Sequence, residues 1–302
     1  MRSSVLMALI LSCLWAAAAA AGERGLLLLA HGSHSAGGHG QHDGQVSPWN
    51  ANVEALAAGL NSGRPTEVAF GMADPRSIQA ALDRLAGRGV DEVVTVPLFV
   101  SSHSPIIGNF RYILGLQGHL APTTALKRLD RAETGARIAF TGAMDAHPLI
   151  TDILIDRARE IGTDPATTTV VLIAHGPNDE GENRRWLTDM EAHAQALAVR
   201  GGYRQVVALT HRNDAPAAVK DAARIRFREV VADGGRDGMV IVLPLLLSAG
   251  GIEREVEGDL DGLDYRFGRP LMPHPNIRRW VEAQFTAAPS PASPPPSPRA
   301  AP

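Results

Sequence analysis

Four segments of this chain recur in the same order in its second half. "GLLLLAHGS" at 25–33 returns as "TVVLIAHGP" at 169–177, and "EVAFGMAD" at 67–74 as "QVVALTHRND" at 205–214. "EVVTVPLFVSS" at 92–102 returns as "GMVIVLPLLLSA" at 238–249, and "DAHPLITDILIDRA" at 145–158 as "MPHPNIRRWVEAQF" at 272–285. An ordered recurrence of this kind is a duplicated half, so whatever the first half folds into, the second must fold into as well. The apolar runs Leu26–Ala30, Val93–Val100, Val170–Ala174 and Val240–Leu247 are short and continuous, as in strands covered on both faces of a parallel sheet. Between them lie helix starts: Ser47 precedes Pro48, and Asp74 precedes Pro75, each ahead of an amphipathic stretch. Strands alternating with helices predict an α/β fold. The expected architecture is two similar lobes, at 25–162 and 168–286, each a parallel sheet flanked by helices, with a cleft between them.

The ends of the chain lie outside that pattern. Arg2, the apolar run Val5–Leu14 and the small residues Ala19 and Ala21 have the order of a secretory signal peptide spanning 1–21, with cleavage before Gly22. An exported, periplasmic or extracytoplasmic protein is expected, touching a membrane only if that segment is left uncleaved or is lipidated at Cys13. Residues 287–302 are rich in Pro, Ser and Ala and read as a disordered tail. Cys13 is the only cysteine, so a metal must be held by His, Asp, Glu or Met. A net charge of −3 and 5% aromatic residues argue against a nucleic-acid partner.

Ligands of open α/β sheets bind beyond the carboxyl ends of the strands. His31 stands there after "LLLLA", and His103 stands at the same expected edge after "TVPLFV" and the serines Ser101 and Ser102. His175 repeats the His31 position. His34, His39 and His42 follow His31 in a glycine-rich loop, an arrangement suited either to gathering a metal, with Asp43 as an oxygen ligand, or to a plain polar surface loop. His147 and His274 precede prolines at helix starts in both halves and read as structural; "RIRFRE" at 224–229 reads as a solvated helix face.

The repeated "AHG" after a buried strand, the "VPLF" strand with a histidine shortly after it, and the "HP" helix starts resemble the class II tetrapyrrole chelatases, in particular the sirohydrochlorin cobalt- and ferrochelatases of the CbiX type in a long two-lobe form. The resemblance runs from Leu26 to Phe285. It implies a lyase inserting a divalent metal, Co²⁺ or else Ni²⁺ or Fe²⁺, into sirohydrochlorin or a related tetrapyrrole, with the metal as substrate and no organic cofactor. The two histidines it implies fall on His31 and His103. The family glutamate expected after "VAF" has no counterpart at Gly71 or Met72, Asp74 being the nearest carboxylate. His103 comes about two residues early, and Ile252 stands where a second-lobe histidine would.

The expected metal set is therefore His31 and His103 with His34, His39 and His42. Ser33, Ser101, Ser102 and Arg111 are expected to meet the substrate. His175 and His211, the latter at the counterpart of Met72, are weaker second-lobe equivalents. Imidazole suits this chemistry independently of the resemblance: it binds borderline metals reversibly and accepts protons near neutral pH. The competing reading is an exported metal- or tetrapyrrole-binding protein on the same fold without turnover. A hydrolase is disfavoured, because "AHGS" lacks a G-x-S-x-G elbow.

Overall fold

A computed structural model of the chain describes residues 22–32 and 48–289. The first half runs β1 (Glu23–Ala30), α1 (Pro48–Asn61), β2 (Thr66–Phe70), α2 (Pro75–Gly87), β3 (Val90–Pro97), α3 (Pro105–Ile113), β4 (Arg137–Phe140) and α4 (Pro148–Glu160). The second runs β5 (Thr168–Ala174), α5 (Glu180–Gly201), β6 (Gln205–Thr210), α6 (Ala217–Arg236), β7 (Met239–Pro244), α7 (Gly251–Asp259), β8 (Arg266–Phe267) and α8 (Pro275–Ala287). Each half makes one four-stranded, all-parallel sheet, ordered β2-β1-β3-β4 and β6-β5-β7-β8. The expected α/β class and the twofold repeat are what the chain adopts.

Strand periodicity explains why the sequence runs are apolar throughout. Leu26, Leu28 and Ala30 face one core, and Leu27 and Leu29 face another. In β5, Val170, Leu172 and Ala174 join the first of these cores, whereas Val171 and Ile173 face a third. The first core thus lies between the two sheets and is filled by α1, α4, α5 and α8; the outer cores lie beneath α2 and α3 on one side and beneath α6 and α7 on the other. The layers are helix, sheet, helix, sheet, helix. β3 and β7 end earlier than the apolar runs suggested, at Pro97 and Pro244, and the remaining apolar residues form loops that turn across the carboxyl edge.

Strand register fixes the correspondence of the halves. Gly71 N–H donates to Ala30 O and His211 N–H to Ala174 O, so His211 matches Gly71 and not Met72. Leu98 N–H donates to Leu29 O and Leu245 N–H to Ile173 O; counting on from there, His103 matches Gly250. The structure also brings out a fifth repeat, in which Trp49 and Asn52 of α1 correspond to Trp186 and Asp189 of α5. These two helices are seated crosswise. Trp186 Nε1–H donates to His103 O at 2.7 Å, and Asn52 Nδ2–H donates to Ser248 Oγ at 3.4 Å.

Candidate active site

His31 leaves the end of β1, where Gly32 takes a φ of +72°, a left-handed conformation that glycine adopts without strain. Its Nδ1–H donates to the Gly32 carbonyl at 2.6 Å. A carbonyl only accepts, so Nδ1 carries a proton, and the neutral tautomer with this bond has its lone pair on Nε2, as a metal ligand needs. The half-buried ring lies 5.8 Å from that of Trp49, tilted by 38°.

His103 sits on the loop after β3, and its surroundings are drawn from both lobes. Its backbone N–H donates to Ser101 Oγ at 3.1 Å, and its carbonyl takes the Trp186 indole. Its Nε2 stands 3.6 Å from Asp189 Oδ2, with 37% and 23% of the two side chains exposed. Burial raises the Asp189 carboxyl above the usual range and the nearby Asp145 charge adds to this, while His103 opposes both.

Asp145 anchors the loop from behind. It holds a φ of +40°, uncommon for a residue with a Cβ. It accepts from Ser102 N–H at 2.6 Å and from the Ser102 hydroxyl at 2.7 Å; that hydroxyl in turn accepts from Ala143 N–H at 2.8 Å. His193 of α5, fully buried, donates from Nε2 to the Asp145 carbonyl and meets the Thr151 hydroxyl through Nδ1, both at 2.8 Å. Burial lowers the His193 pKa, outweighing the Asp145 carbonyl bond that would raise it.

The structure thus places His31 and His103 at the carboxyl ends of adjacent strands. Ser101 and Ser102, expected to meet substrate, are engaged in holding the His103 loop. Arg111 lies in the last turn of α3 with its guanidinium 5.3 Å from the Phe140 ring centroid. Asp74 caps α2 through Arg76 N–H and takes no part in the site. Ser33, His34, His39, His42 and Asp43 lie outside the described residues; among the described residues no group of three or more His, Cys, Asp or Glu is arranged around a common ion.

The second-lobe counterparts differ in kind. His175 repeats the backbone bond, Nδ1–H to Gly176 O at 2.7 Å, but its Nε2 faces Asp214 at 3.1 Å. His211 is 3% exposed with Nε2 on Asp259 at 2.7 Å, so it is a buried pair rather than an open ligand. A shallow hollow of about 510 Å³, lined by residues including Glu54, Glu67 and Arg84, lies along α1 and β2 and contains none of these histidines. Trp186, Asp189 and Asp145 escaped the sequence reading, although the spacing shared by Trp49–Asn52 and Trp186–Asp189 was a usable signal for two of them.

Two parallel sheets stacked through shared helices, with histidines at the carboxyl ends of the central strands of one, define a class II chelatase fold. Residues 25–161, the first lobe, match the CbiX family model, and the second lobe repeats the first lobe's order of elements. SirB from Bacillus subtilis, solved with Fe³⁺, superposes with a TM-score of 0.61 at 16% identity, covering 87% of this chain and 94% of that one. CbiX, described as the terminal enzyme of siroheme biosynthesis in denitrifying bacteria, gives 0.56 at 18% identity over 88% and 100%. A multi-domain protein from Deinococcus radiodurans with structural similarity to chelatases gives 0.53 at 23%, over 87% of this chain and 54% of that one. A search of the curated proteins found no match.

Proposed function

We propose that this chain is a metallochelatase that inserts a divalent metal into sirohydrochlorin or a related tetrapyrrole. The observation that carries the reading is the placement of His31 and His103 beyond the carboxyl ends of the adjacent strands β1 and β3, within the lobe that matches CbiX. SirB has been solved with Fe³⁺ and with cobalt, which makes Fe²⁺ and Co²⁺ the ions to try first, with Ni²⁺ after them.

In the reaction two pyrrole N–H bonds break, the metal–nitrogen bonds form, and two protons leave. His31 offers the Nε2 lone pair that its Gly32 bond exposes, either to the ion or to a departing proton. His103 offers the second imidazole, on a loop fixed by Ser101, Ser102 and Trp186. Two neutral donors hold a borderline cation loosely enough to release it to four converging nitrogens. His34, His39 and His42 extend the same chemistry by collecting metal ahead of His31.

An anaerobic assay of the chain with sirohydrochlorin and each metal, followed by absorbance, tests this. His31→Ala and His103→Ala each lower the metal-dependent rate by about 100-fold or more, the scale of losing a positioned acid–base group. His175→Ala and His211→Ala leave the rate within a few fold. Equal losses at His31 and His175 would remove the one-lobe assignment. Tight binding with no rate above the spontaneous reaction would leave a carrier in place of an enzyme.

A further inference from the structure

The duplicated halves supply an internal comparison. Trp49 and Asn52 of α1 face the loop after β7, and Trp186 and Asp189 of α5 face the loop after β3. In one half-site the helix offers an amide, and the loop offers Ser248 and Gly250. In the other the helix offers a carboxylate, and the loop offers Ser101 and His103. Asn52 serves the crosswise contact as a neutral side chain, so packing alone does not require an acid at 189. An acid at the helix position and an imidazole at the loop position occur together in one half-site and are absent together from the other. There the carboxylate at Gly250 is that of Glu253, which caps its own helix α7 by accepting from Gly250 N–H.

The geometry of the pair points the same way. A separation of 3.6 Å between His103 Nε2 and Asp189 Oδ2 is too long for a hydrogen bond. Two donors each about 2.1 Å from one ion, at a tetrahedral angle, stand roughly 3.4 Å apart. Asp189 Oδ2 is shielded from solvent and has no hydrogen-bond donor among the described residues. The neighbouring carboxylate, Asp145, has both oxygens occupied by Ser102. A shielded carboxylate oxygen without a donor is costly, and a divalent cation would supply the missing partner.

We propose that Asp189, from the second lobe, is an oxygen ligand for the incoming divalent metal, bracketing it together with His103 Nε2 of the first. The assignment rests on the chelatase reading only for where the ion goes next. Even with His31 as a third protein donor, this leaves part of the coordination sphere to water and then to the pyrrole nitrogens, as a metal that must be handed on requires.

The test is calorimetric titration with Co²⁺ alone. It uses the full chain with His34, His39 and His42 replaced by Ala, so that the loop does not mask the pair. Asp189→Asn should weaken Co²⁺ binding by about tenfold or more, since even outer partners of metal ligands are worth that much. Asp189→Ser, a second variant without the acid, should do the same. In the double variant with His103→Ala the losses should be less than additive, because both residues act on one ion. Asp189→Asn and Asp189→Ser binding Co²⁺ as tightly as the parent would overturn the proposal, reducing Asp189 to an ion-pair partner of protonated His103. That result would leave the chelatase reading intact. Co²⁺ held through the pair without any tetrapyrrole metallation would instead remove the chelatase reading and keep the ligand.

Discussion

Ser102 shows how one hydroxyl can be assigned two roles from its position and only one from its contacts. It stands one residue before His103, where a substrate contact was expected, yet its hydroxyl is committed to Asp145 and Ala143. Removing it leaves a part-buried carboxylate short of a donor, which costs about 2 kcal/mol. Ser102→Ala should therefore lower the free energy of unfolding by that amount in urea without altering the denaturant slope, and should leave the KM for tetrapyrrole unchanged. A raised KM with unchanged stability would return Ser102 to the substrate. His31 was legible in the sequence because strand end, glycine and imidazole are consecutive. Asp189 was not, because its partner lies in the other half of the chain.

Two helices begin on an imidazole. His147 Nδ1 accepts from Leu149 N–H at 3.2 Å at the start of α4, and His274 Nδ1 accepts from Asn276 N–H at 3.1 Å at the start of α8. The structural role read from the repeated "HP" starts thus has a physical form. A capping nitrogen must keep its lone pair, so protonation abolishes the cap. Burial lowers the pKa of His147; burial and then Arg157 lower that of His274 against Asp156 and Glu160. A depressed histidine pKa means that the unfolded chain binds the proton more readily. The caps' contribution is therefore complete above the unfolded value of about 6.5 and is lost as pH falls from there through the folded values. Buried His193, lowered for the same first reason, adds to the trend. The thermal midpoint should fall between pH 7.5 and 5. His147→Ala and His274→Ala should each cost about 1 kcal/mol at neutral pH, and replacement by Asn should restore most of it with a flatter pH profile. A midpoint independent of pH across that window would contradict this account.

At the scale of the whole molecule, the order of elements was readable because the central strands β1, β3, β5 and β7 are largely apolar on both faces and α1, α2, α3, α4 and α8 begin at a proline. How the two lobes meet was not. Leu26 and Leu27 look alike in sequence but face different cores, and only the pairing of the sheets decides which face meets the other lobe. Residues 1–21 lie outside the described residues, and export from the cytoplasm is our proposal from their sequence alone. Intact-mass measurement on an envelope fraction should find a chain starting at or near Gly22, and a full-length cytosolic species would count against it. If the two lobes were separate copies of one polypeptide, any substitution would strike both halves at once. Joined in one chain, positions 52 and 189 can be substituted independently, as can 250 and 103. The crosswise seating of α1 and α5 would therefore let a single gene keep the proposed His103–Asp189 half-site while the other carries Asn52 and Gly250, with the shared core between the sheets common to both.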